Sequence, residues 1–402
     1  YAKGHFVSPE VVLSKKFELE NDYRRLEAAK ELETGYGVGV SNLAHGISFY
    51  EKVVSGNDWM VLKGSEWVPI ASMKENSDFE NTIMASTALL PADQSKAISY
   101  EVIYEKTRIF YSVAFVCLLA FLFSLIGLTR EAWYRAAVVG SVVVLAIEVV
   151  GMILRSLISG RAPVTNMFET VMWTGFGVLT LSVLMSIKMK ERKILVTGLV
   201  FNLIALFMMN FATTMFDGTI RPLVPVLRDN FWLSTHVTTV TLSYACFALA
   251  WVMANSVLLA WIFGRRDGAK LKAWNHIIRT AIQIGSVLLA GGIILGGVWA
   301  DYSWGRFWGW DPKETWSLIA LLVYMAILHG KYAGWFKDLM FTMVAAAGFL
   351  AVLMAWFGVN YILAVGLHSY GFSSGGATFL FSVFAAQIFV LSLVAVQYRR
   401  VA

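Results

Sequence analysis

The sequence has little charge, few cysteines and few histidines. Only 15% of its 402 residues are Asp, Glu, Lys or Arg, against 57% hydrophobic, where a soluble globular domain is about one quarter charged. That is more apolar side chain than one core of this size hides, so the expected solvent is lipid. The same numbers exclude disordered, collagen-like and disulfide-scaffold chains. The two cysteines, Cys117 and Cys246, form no C-x-x-C pair, so the chain is neither a c-type cytochrome nor a zinc ribbon. It starts at Tyr1 with no A-x-A cleavage site near its start, and reads as an excised or processed fragment.

Charge is also divided unevenly. Residues 1–107 carry 11 Lys and Arg against 16 Asp and Glu, and residues 108–402 carry 22 against 11. The basic excess of the second part does not require nucleic acid, because Lys and Arg mark the cytoplasmic ends of membrane helices. Ser8-Pro9-Glu10 reads as a helix start, charged residues run on to Glu33, and Gly35 is a plausible stop. Over Asp58–Ile70, apolar runs flank Lys63-Gly64-Ser65 and predict a β-hairpin. Residues 1–107 therefore read as a small extracytoplasmic domain of mixed α/β character, ending in a stalk at Tyr100–Arg108.

Nine apolar stretches follow, at about 109–128, 132–154, 170–187, 194–211, 236–263, 276–298, 316–333, 338–357 and 376–398. At about 1.5 Å per residue each can cross a hydrocarbon core of about 30 Å. None alternates as a barrel strand does, so helices are the expected form. The prediction is an all-α polytopic membrane domain over 108–402. Loops 129–135, 188–193, 264–279, 331–337 and 399–400 hold 15 Lys and Arg, and the opposite set at 155–169, 212–235, 299–315 and 359–375 holds 6. The positive-inside rule puts the first set in the cytoplasm and the second set, with 1–107, outside.

One outer loop stands apart. Residues 299–316 hold Trp299, Trp304, Trp308, Trp310 and Trp316, five of the chain's fifteen tryptophans. An interfacial aromatic belt explains one or two per helix end. It does not explain five interleaved with Gly305, Gly309, Asp311 and Pro312. Glycines let backbone approach a ligand and indoles offer flat faces, so a flat aromatic ligand fits better. Among the six histidines, His236 and His368 fall at the same predicted depth as this loop. Two neutral imidazoles there suit the two axial positions of a haem iron.

The run WGRFWGWDPKETW resembles the WWD signature of the haem-handling membrane proteins of cytochrome c biogenesis, and the arrangement is similar to the CcsA (ResC) type, in some bacteria fused to CcsB (ResB) as CcsBA. GRAPVTNMFET at 160–170, PLVPVLRDNFWLSTH at 222–236, LHGKY at 328–332 and NYILAVGLHSYGF at 360–372 match as well. The related CcmC and CcmF types share the WWD signature. An outer His, the WWD loop, a membrane His and a second outer His, in that order and behind an exterior domain, favour CcsA.

The resemblance implies a role for each matching residue. His236 and His368 would ligate the iron of a non-covalent haem b at the external site. Trp304, Gly305, Trp308, Gly309, Trp310, Asp311, Pro312, Glu314 and Trp316 would form the loop that cradles the porphyrin. Trp299 leads into that loop, and Arg306 and Lys313 are cations suited to the propionates. His329 would bind haem in transit. It lies 13 residues beyond Trp316, about 20 Å down its helix, and a polar group at such depth is a functional candidate. Its partner histidine would sit on a CcsB helix, since His5 and His45 are exterior.

The reaction so implied attaches haem through thioethers to the C-x-x-C-H segment of an apocytochrome c, at the periplasmic face of a bacterial inner membrane. CcsB and thiol-reducing proteins are the other implied partners. The competing readings are a haem exporter or chaperone that does not attach its cargo, and a transporter without haem. Glu148 is expected to pair with Arg155 at helical reach, Asn166 and Glu169 to cap the third span, and both cysteines to pack as small apolar groups.

Overall fold

The computed structural model describes residues 16–29, 60–63, 66–69, 92–212, 215–220, 229–363 and 376–401. Two compact units divide between Ile98 and Ser99. In the first lie helix α1 (Lys16–Ala28) and strands β1 (Met60–Lys63) and β2 (Glu66–Pro69), and helix α2 (Ala92–Thr107) begins there. The strands pair antiparallel with Met60 opposite Pro69 and Lys63 opposite Glu66, and form the predicted hairpin. One hairpin and these helices do not establish a mixed α/β domain. The predicted helix start at Ser8-Pro9-Glu10 lies outside the described residues.

The second unit is helical. Its elements are α3 (Ile109–Gly127), α4 (Glu131–Ser159), α5 (Met167–Met189), α6 (Arg192–Phe211), α7 (Asn230–Ile262), α8 (Gly268–Trp304), α9 (Pro312–Tyr332), α10 (Asp338–Leu363) and α11 (Gly376–Val401). Each apolar stretch of the sequence is one of these nine. Eight are long and apolar enough to cross a membrane. The ninth, α9, is long enough but less apolar, because Trp316 and Ser317 near one end and His329 and Lys331 near the other dilute its apolar run. The chain is a multi-pass helical membrane protein.

Helix α7 occupies the centre and packs against α5, α6, α8, α10 and α11. Its inner stretch Tyr244–Ala250 is wholly buried. Phe247 lies against Gly285 of α8, where a Cβ would come within 2.9 Å of its ring, and stacks on Tyr324 of α9 at 4.1 Å and 3°. A side chain at Gly285 would therefore drive three helices apart. Two stretches have the wider π turn, Leu233–Val237 in α7 and Met354–Leu363 in α10. Such turns are rare and concentrate at functional sites.

Buried polar groups follow a different pairing from the sequence expectation. Arg155 does not pair with Glu148. Its Nη2 lies 2.7 Å and its Nε 3.1 Å from Glu169 Oε1, with side chains only 1% and 5% exposed. Its Nη1 donates to Tyr104 Oη and to the Gly218 carbonyl, each at 2.9 Å. Glu169 Oε2 accepts from the Thr165 amide and hydroxyl at 2.7 and 2.8 Å. Glu148 instead accepts from Asn202 Nδ2 at 2.9 Å. Asn166 is the N-cap of α5, as expected, and Glu169 serves the ion pair while its amide donates to the Asn166 side chain. Cys117 and Cys246 are buried and unbridged.

Candidate functional site

A cavity of about 1330 Å³, its open mouth included, lies among the N-terminal turn of α5, the start of α7, the C-terminal part of α8, the Trp-rich loop, the first turn of α9 and the π stretch of α10. Both π segments contribute: Leu233, His236 and Val237 from one, Trp356 and Asn360 from the other.

His236 sits where the sequence places it and is held on two sides. Its Nδ1 is 2.8 Å from the Gly292 carbonyl. A carbonyl only accepts, so Nδ1 carries the proton and Nε2 the lone pair. A backbone carbonyl on one ring nitrogen is how ligating histidines fix their tautomer. The ring rests on Gly296, where a Cβ would approach its Cε1 to 2.6 Å, and meets Trp299 edge-on at 5.8 Å. Gly297 admits the Phe307 ring in the same way. Gly296 and Gly297 of the GGIILGGVW run in α8 are therefore the bed on which His236 and Phe307 lie.

The loop is organised by Glu314. Its Oε2 accepts from the Gly309 amide at 2.7 Å and the Asp311 amide at 3.2 Å, and its Oε1 lies 3.3 Å from Arg306 Nη1. Asp311 caps α9, accepting from the Lys313 amide at 2.9 Å, with Pro312 at the first helical position. Asp311 and Glu314 form a capping box, which fixes the entry angle of the chain. Gly305 closes α8 at φ 67°, a left-handed turn that favours glycine. The Arg306 guanidinium lies over Gly309, where any side chain would collide with it. Arg306 is thus engaged with Glu314. Lys313 lines the cavity, and burial lowers its amine to about 8, with Asp311 acting in the opposite sense.

The five tryptophans separate. Trp299, Trp304 and Trp308 line the cavity; Trp310 and Trp316 do not. Trp310 has a φ of 57°, is 70% exposed and meets Trp308 edge-on at 5.8 Å. The Trp299 indole N–H is buried without a hydrogen-bond partner among the described residues. His329 lies apart, exposed on α9, with Nδ1 2.7 Å from the Met325 carbonyl, so the same tautomer holds there. His368 lies outside the described residues, and its distance from His236 is not part of the structure.

Sequence reasoning missed the inner wall: Thr170, Tyr244, Trp356 and Asn360 line the cavity. Tyr244 and Trp356 carry no motif, and Thr170 and Asn360, though within the family-like stretches 160–170 and 360–372, were given no role. It also missed the capping box, which Asp311-Pro312-Lys313-Glu314 does announce.

Fold and site together define a polytopic helical membrane protein with an aromatic cavity and a tautomer-fixed histidine at its wall. The family model described as "Cytochrome C assembly protein" matches residues 163–368, and the chain belongs to that family, in its CcsA type. It is 30% identical to a cytochrome c biogenesis protein CcsA of Prochlorococcus marinus over 67% of this chain and 98% of the relative. It is 35% identical to the Protein NrfI of Wolinella succinogenes over 57% of this chain, but spans only 25% of that protein's length. A solved cytochrome c heme lyase CcmF gives a TM-score of 0.49 at 16% identity, over 71% of this chain and 50% of that one, too slight a likeness to argue from.

Proposed function

We propose that the chain receives haem within the membrane, holds it in the cavity beside His236 and attaches it to an apocytochrome c. The observation that carries this reading is the His236 imidazole, its Nδ1–H bound to the Gly292 carbonyl and its ring set in a wall of tryptophan. The residues present fit the cargo. The lining is mostly apolar, four indoles offer faces and edges, and the unpartnered Trp299 N–H awaits an acceptor.

In this reading His236 and His368 are the axial ligands of a haem b, and His329 is an earlier station. The exposure of His329 suits a second ligand from another helix, such as one of CcsB. The topology follows the loop charges, with nine crossings, α9 among them, and the Trp-rich loop and 1–107 on the periplasmic side. Each substrate thiol adds across a vinyl group of haem: a C–S bond forms, the thiol hydrogen goes to the other vinyl carbon, and no electrons are gained or lost. The protein's share is positioning, which supplies much of such a rate. Trp304 and Trp308 define the slot, and the Glu314–Asp311 box holds the loop that carries Trp308.

Co-expression with an apocytochrome bearing C-x-x-C-H tests the attachment step. The expected product is cytochrome with covalently bound haem. Free apocytochrome, with haem still on the membrane protein, is the result of an exporter that does not attach its cargo. A smaller change probes the seat of the ligand. Gly296→Ala puts a methyl about 2.6 Å from His236 Cε1. The ring then turns from the Gly292 carbonyl, and haem affinity is expected to fall about 10–100-fold, as for lost outer-shell partners of ligating histidines. Unchanged affinity by absorption titration would show that Gly296 does not set the ring.

A further inference from the structure

We infer that the floor of the cavity is a carboxylate subsite, where the Tyr244 hydroxyl and the N-terminal turn of α5 receive a propionate of the haem and so turn its vinyl edge toward the mouth. The inference rests on the haem reading above.

Tyr244 is 2% exposed and lines the cavity, and its hydroxyl has no hydrogen-bond partner among the described residues. A buried hydroxyl left unsatisfied is costly, and because this one lines a cavity an acceptor on the ligand would satisfy it. Its ring lies tilted against Trp356 at 5.6 Å, and Trp356 donates its indole N–H to Thr170 Oγ1 at 3.0 Å. That bond ties Trp356, against which the tyrosine ring lies, to the first turn of α5. Asn166 caps this turn, and Asn166, Met167 and Thr170 all line the cavity. The first amides of a helix have no carbonyl behind them within it, and its dipole favours an anion. Hydroxyl and helix end therefore offer one carboxylate both hydrogen bonds and charge.

The orientation follows from the chemistry of the cargo. Vinyl and propionate groups occupy opposite edges of the porphyrin. The substrate's thiols enter by the mouth, where Phe307 is 48% exposed beside Trp308. The edge they must reach points outward, so the carboxylate edge points to the floor. Tyr244 is eight residues beyond His236 on α7, about 12 Å of helix. Its side chain leans back toward the helix start, which brings the hydroxyl within about one macrocycle radius of the imidazole.

The test is titration of the purified full chain with haemin and with haemin dimethyl ester, followed by absorbance, in wild type and Tyr244→Phe. The wild type is expected to prefer the diacid at least tenfold, and Tyr244→Phe to lose about tenfold for haemin alone, the range of one hydrogen bond to a charged group. Unchanged ester affinity also shows that the variant is folded. Equal weakening toward both ligands, as loss of a bound water or of packing would cause, overturns the inference. So does a wild type that binds both ligands equally, with the haem reading intact. A wild type that binds neither overturns both.

Discussion

His236→Gly is expected to cost the protein at least tenfold of its haem retention, since loss of an outer-shell partner alone costs a ligating histidine about 10–100-fold. The substitution removes one imidazole and opens a space of that size beside Gly296 and Trp299. A glycine within a helix costs only about 1 kcal/mol, so the bundle remains folded. Free imidazole in the buffer then has a site to enter, and partial return of the haem spectrum is expected. Absorption spectra of wild type, variant and variant with imidazole measure this directly. A wild-type spectrum in the variant would refute His236 as a ligand.

Arg155→Met is expected to be the most destabilising single change in the helical unit, by about 3–5 kcal/mol, because it leaves the Glu169 carboxylate buried and unpaired. Both side chains are almost fully buried, so solvent does not soften the loss. Removing the charge as well, in Arg155→Met with Glu169→Gln, is expected to recover a large part of it, since the amide oxygen still accepts from Thr165. Thermal unfolding in detergent of both single variants and the double checks the sign. A double variant as unstable as Arg155→Met would mean that the carboxylate charge is not the cause. Thr165 and Asn166 line the cavity directly beyond this pair, so the single variant is also expected to bind haem less tightly.

The case of Arg155 shows where the sequence stops being informative. At helical reach Glu148 is its natural partner, but helical reach sees only one helix. The true partner, Glu169, stands on the next helix, and only the packing of α4 against α5 brings it near. The spans themselves were legible because each is a long apolar run. The place of His236 beside the Trp-rich loop was legible because it falls, with His368, at the predicted depth of that loop. The separate fates of the tryptophans were not. Trp310 has a left-handed backbone and turns outward, while Trp308, two residues earlier, turns in. Nor was Tyr244 legible, since a tyrosine in an apolar span looks the same whether its hydroxyl is satisfied or waiting. Gly296 was not legible either, since nothing in the apolar run of α8 says that the imidazole of His236 rests on it.

The absorption spectrum of the purified chain with one equivalent of haem added, oxidised and then reduced, bears most directly on the cavity. A Soret band with the sharp α and β bands of six-coordinate, low-spin iron between two imidazoles is the result expected for His236 and His368 as its ligands. Intact protein with no Soret band above free haem, or with five-coordinate high-spin iron insensitive to substitution at His236, contradicts it.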